Sequence, residues 1–202
     1  DQITALYNGW LRASAATDSP VWQYVVSTSN EGDPSALQIP GGYLVRKANA
    51  AATGDLYGAL SADPDHRIDV TGHSLGGHLA MAFAALFGAS TASVATFNAP
   101  GFGDHFANRA FFEALGGVLP AQASIGAITT NVIANEAPTA SLAFSPIADL
   151  GNQPGTRVEV PIENQELPGE PAPVGSAKHS LRVLSDGLAD ALAVYGSLDK
   201  LS

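Results

Sequence analysis

The sequence predicts an α/β fold, a mostly parallel sheet with flanking helices, from three observations. Runs rich in apolar and β-branched residues recur at 67–71, 93–97, 125–134 and 157–162. Segments of helical character separate or follow them, at 75–87, 106–115 and from Leu181 onward. Clusters of Gly, Pro, Asn and Asp punctuate the joins. Strands alternating with helices imply βαβ units, and such units build parallel sheets.

The elements follow in order. Ile3, Leu6, Tyr7, Trp10 and Leu11 recur at helical spacing and predict an amphipathic first helix. Residues 13–40 are rich in Ser, Thr, Asp, Asn and Pro; they predict mainly loop, with a short strand at 22–26. From Gly42 to about Leu60 the Ala- and Leu-rich pattern predicts a helix, interrupted at Gly54 and ended by Ala62-Asp63-Pro64-Asp65. Arg67 to Thr71 is a strand. Leu75 to Phe87 is apolar or small nearly all round, so a buried helix is expected, closed by Gly88. A strand at Ser93 to Phe97 and a helix at Phe106 to Leu115 come next. Strands at Ile125 to Ala134 and Arg157 to Ile162 flank a long loop that carries Leu142, Phe144, Ile147 and Leu150. A Pro-rich loop runs from Leu167 to Gly175. Leu181, Leu184, Leu188, Ala191, Leu192 and Tyr195 mark a final amphipathic helix.

Bulk properties narrow the functional classes. A length of 202 residues suits one domain, here 1–202. Hydrophobic residues make up 46% and charged residues 14%, a globular balance. The formal net charge of -10 repels phosphate backbones and argues against nucleic acid as a partner. With no cysteine, disulfides and thiolate metal sites are excluded. There is no apolar run long enough to span a membrane, so stable membrane insertion is not expected. Asp63, Asp65 and Asp69 lack the glycine and closing Glu of a calcium loop, so no metal site is expected there. The first residues have neither a basic start nor an apolar core, so any secretion signal is expected outside this chain.

Gly72-His73-Ser74-Leu75-Gly76 is a G-x-S-x-G sequence set between a strand and a buried helix. That context, more than the pattern itself, predicts a nucleophile elbow: a strained turn that lifts Ser74 out of the backbone. Gly72 and Gly76 are expected to let the helix pack back across the strand. The N–H of Leu75, at the helix start, is the expected oxyanion donor. Serine needs a base to take its proton. Of five histidines, only His179 follows every candidate acid strand, as the order Ser–acid–His requires. His66, His73, His78 and His105 are expected to be surface or packing residues. The acid is expected after the strand that reaches Ala134, where Glu136 is the carboxylate; Asp149, farther along the loop, is the alternative. The chemistry needs no cofactor.

The stretch from Val70 to Ala80, VTGHSLGGHLA, followed by TFNAPGF from Thr96 to Phe102, resembles the class 3 lipases. It is most similar to the bacterial lipase-like domains of large secreted calcium-repeat proteins. His179-Ser180 ahead of a helix with Asp186 and Tyr195 resembles them too. The resemblance implies an α/β-hydrolase fold, a lipid or small ester substrate, a secreted location and contiguous domains in a larger parent chain. The family's second oxyanion donor comes from an upstream Arg-Gly-Thr-like motif that residues 1–71 do not contain. The expectation is therefore a hydrolase fold lacking its N-terminal strands. Two other readings stay open: a catalytically silent binding or scaffold domain, and a peptidase or thioesterase using the same triad.

Overall fold

The computed structural model describes residues 2–120, 124–135, 150–162 and 179–198. Two sheets organise them. The first is antiparallel, in the order β1-β3-β2, from β1 (Pro20–Ser27), β2 (Leu37–Ile39) and β3 (Gly42–Ala51). The second is parallel, β4-β5-β6-β7, from β4 (Ile68–His73), β5 (Thr91–Phe97), β6 (Thr129–Asn135) and β7 (Thr156–Pro161). The helices are α1 (Gln2–Ser14), α2 (Tyr57–Ala62), α3 (Leu75–Leu86), α4 (Phe106–Ala114) and α5 (Leu181–Leu198).

The parallel sheet is the α/β core predicted from the alternation of elements. Its strands keep within four residues of the expected bounds; β6 starts at Thr129 because Ser124–Ile128 forms a 3-10 turn first. The core lies between this sheet and α3, where Ala80, Met81, Ala82 and Ala84 are buried together with Val94 of β5. Small side chains let α3 approach the strands closely, and its all-round apolar character is explained by α1 on its far side. There Trp10 meets Phe83 edge-on at 4.8 Å and Tyr7 stacks on Phe87 at 5.2 Å. A second core joins α5 to β6 and β7 through Ala134, Val160, Ile162 and Leu184.

One element overturns expectation. Residues 42–51, expected to begin a helix, form the central strand of the antiparallel sheet. Val45 pairs with Val25 and Leu44 with both Val26 and Leu37. Gly41, at φ +85°, makes the turn into it, a conformation that a glycine adopts without strain. At Gly42 a Cβ would strike the carbonyl of Ser27, so the strands can close only on glycine. Ala-rich helix propensity is worth a few tenths of a kcal/mol per residue (roughly 0.7 at most), and pairing on two edges overrides it. The cation of Arg46 over the Trp22 ring, at 4.2 Å, and the Lys47–Glu31 ion pair at 2.8 Å decorate the same strand. Only the six-residue α2 remains of the expected helix.

Candidate active site

β4 delivers Ser74 to the carboxyl end of the parallel sheet, and α3 leaves from it immediately. Ser74 has φ 54° and ψ -124°, a backbone state that costs a side-chain-bearing residue on the order of 1–3 kcal/mol. Surrounding bonds over-determine it. Its N–H donates to Phe97 O at 2.9 Å, and its carbonyl accepts from Gly77 at 3.0 Å and His78 at 3.1 Å. A Cβ on Gly72 would collide with the backbone of Gly76 and Gly77. The expectation for Gly76 is corrected: a Cβ there meets nothing within 4 Å. The close approach falls one residue later, at Gly77, where a Cβ would sit 2.6 Å from that of Ala99. The helix turns that position, not Gly76, toward the sheet.

His179 lies just before α5, and its Nε2 is 2.6 Å from Ser74 Oγ, across 105 residues of sequence. With Nε2 accepting the serine O–H, the neutral ring carries its proton on Nδ1. Burial, and secondarily the neighbouring His73, holds the His179 pKa below its ordinary value. An imidazole kept neutral is one ready to take a proton. Leu75 opens α3, where the first backbone N–H groups have no intrahelical acceptors. The sequence-predicted trio of Ser74, Leu75 and His179 is thus brought together. Glu136 and Asp149 both lie outside the described residues.

The chain on either side of those carboxylates is held. Asn98, fully buried at φ +46°, accepts the N–H of Ala134 through Oδ1 at 2.9 Å and donates its own N–H to Val132. It stitches the end of β5 to the end of β6, next to where Glu136 follows. On the other side, the N–H of Gly101 donates to Leu150 O at 2.6 Å, and Phe102 and Asn152 exchange backbone bonds of 2.9 Å.

Beside the elbow is a cavity of about 350 Å³, lined among others by Ile39, Leu75, His78, Phe102 and Phe111. His78 stacks on Phe102 at 3.9 Å, its Nδ1 donates to Pro100 O at 3.3 Å, and burial depresses its pKa. Phe106 is 85% exposed at the start of α4. Leu142, Phe144 and Ile147 fall outside the described residues, and Leu150 is exposed.

His73 was expected to be a surface or packing residue; its Nε2 lies 2.7 Å from the carbonyl oxygen of His179, a contact that sequence reasoning did not foresee. Its one visible signal was its place, directly before the serine. Among the described residues no helix is long and apolar enough to cross a membrane. The family profile described as Lipase (class 3) matches residues 9–115 of the chain. Neither the curated proteins nor the solved structures yielded a match.

Proposed function

This chain belongs to the class 3 lipase family, and from that premise we propose that it hydrolyses carboxylic esters with apolar acyl chains through Ser74. The family points to lipid esters as substrates. The observation that carries the finer reading is the 2.6 Å contact between Ser74 Oγ and His179 Nε2 at a strained strand–helix turn. In this reading Ser74 attacks the ester carbonyl while His179 takes the hydroxyl proton. The oxyanion forms against the N–H of Leu75. Collapse of the tetrahedral intermediate breaks the C–O bond, and His179 protonates the leaving alcohol. The same imidazole then draws a proton from water as the water oxygen attacks the acyl carbon; the bond to Ser74 Oγ breaks, the proton passes from His179 to that oxygen and the carboxylic acid leaves. Glu136 is the proposed orienting carboxylate and Asp149 the alternative. The protein is further proposed to be secreted, as a domain of a larger protein, on resemblance alone.

The cavity beside Leu75 supports an apolar acyl chain, since its walls include aliphatic and aromatic groups one residue from the nucleophile. The Ser74–His179 contact weighs against a silent scaffold, which has no use for a base on a strained serine.

A fluorophosphonate probe and a series of p-nitrophenyl esters test the proposal together. The probe should label Ser74, and activity should rise from acetate to octanoate, with each buried methylene worth roughly 0.8 kcal/mol. Ala107→Trp, which fills the cavity, should move the preference to shorter chains. An unlabelled Ser74 would sink the enzyme reading, and a best activity on acetate the apolar acyl site.

A further inference from the structure

We propose that His73 is a positioning residue for the base: its Nε2–H, donated to the backbone carbonyl of His179 at 2.7 Å, holds the chain where the imidazole meets Ser74. The inference rests on the Ser74–His179 reading above.

The two partners differ in how firmly they are held. His73 ends β4, is paired with Phe97 of β5 and directly precedes the elbow serine. His179 precedes α5, whose buried anchor, Leu184, lies more than one turn farther on. The bond fastens the carbonyl of His179 to the end of a paired strand, which narrows the positions open to the residue ahead of α5. The link reaches the residue of the base through its backbone, so the imidazole keeps the small rotation that proton transfer requires. Residues 73 and 74 together thus grip residue 179 at two points, carbonyl and ring, with the two histidine rings 4.9 Å apart.

A carbonyl can only accept, so the proton of His73 stands on Nε2. The chemistry asks one thing of this side chain, a donor at the reach of Nε2. Glutamine offers an amide N–H at nearly the same distance from the backbone. Asparagine, one methylene shorter, does not. Neither carries the imidazole charge through which His73 helps to depress His179.

The test compares wild type, His73→Asn and His73→Gln on p-nitrophenyl octanoate across pH, with fluorophosphonate labelling and thermal melting in parallel. His73→Asn should lose about tenfold to a hundredfold in kcat, the range expected when a catalytic group is misplaced by about 1 Å, with KM and Tm near wild type. His73→Gln should recover most of that loss. Both should move the acid limb of kcat/KM to higher pH, because the ring that holds the His179 pKa down is gone. Asn at the wild-type rate, or Asn and Gln equally slow at unchanged Tm, overturns the proposal. If His73→Asn does not fold, His73→Gln decides alone: near-wild-type kcat with a raised acid limb supports it, and a tenfold loss at unchanged Tm overturns it. A wild-type Ser74 that takes no label overturns the parent reading and this one with it, whereas a labelled Ser74 with indifferent His73 variants overturns this one only.

Discussion

Ser74 and His179 come to one hydrogen bond by opposite routes. The serine is built from contiguous chain: β4 enters, α3 leaves, and every group that bends the turn lies within a few residues or on the adjacent strand β5. The histidine is carried in from 105 residues away on the front of a helix whose buried anchor is Leu184. The elbow stores strain and is stiff because its neighbours leave it no alternative. His179 is held by long-range contacts, among them the bond from His73. The geometry of Ser74 is therefore a local property here and that of His179 a tertiary one, and damage to each should look different.

Removing the proposed nucleophile should give the largest effect. Ser74→Ala should abolish ester hydrolysis by on the order of 10⁴-fold or more while the melting temperature holds or rises, because the strained serine side chain is not a packing element. Activity within tenfold of wild type would remove Ser74 from the mechanism. Next comes the anchor on the other side. Leu184→Ala should cost about 2–5 kcal/mol in denaturant unfolding, since a fully buried leucine leaves a cavity against Ala134, Val160 and Ile162. Among molecules still folded it should lower kcat more than KM, as the base loosens. A loss of stability under about 1 kcal/mol would mean that α5 is not what carries His179.

The smallest effects sharpen the local side. Gly72→Ala drives a Cβ into the backbone of Gly76 and should cost about 1–3 kcal/mol. Gly76→Ala, with open space around it and a helical backbone, should instead be neutral or stabilise by up to about 1 kcal/mol. Thermal melting of both variants checks the pair. Equal destabilisation would mean that the G-x-S-x-G pattern, rather than the actual approach of α3 to β4, sets where glycine is required.

Much of this was legible in advance for a reason that the comparison makes plain. The alternation that predicts a parallel sheet, the strand–serine–helix junction and the all-round apolar α3 are each encoded within a single stretch of chain. The order of elements also sufficed to single out His179. Segment 42–51 misled because its composition favours helix, whereas its conformation depends on edges offered by Pro20–Ser27 and Leu37–Ile39. The choice between Gly76 and Gly77 turned on which way α3 rolls against Ala99, a fact of packing that the motif does not contain.

By itself, then, the sequence determined the strand–serine–helix junction at Ser74 and the α/β class, because period, punctuation and backbone strain act over a few residues. Only the tertiary structure decided the antiparallel sheet, the contact of His73 with His179 and the cavity that His78 and Phe102 share. Those depend on surfaces that meet across dozens to a hundred residues. A hydrogen bond between residues 73 and 179 has no trace in either local pattern; it exists because the end of β4 and the residue ahead of α5 meet in the folded chain.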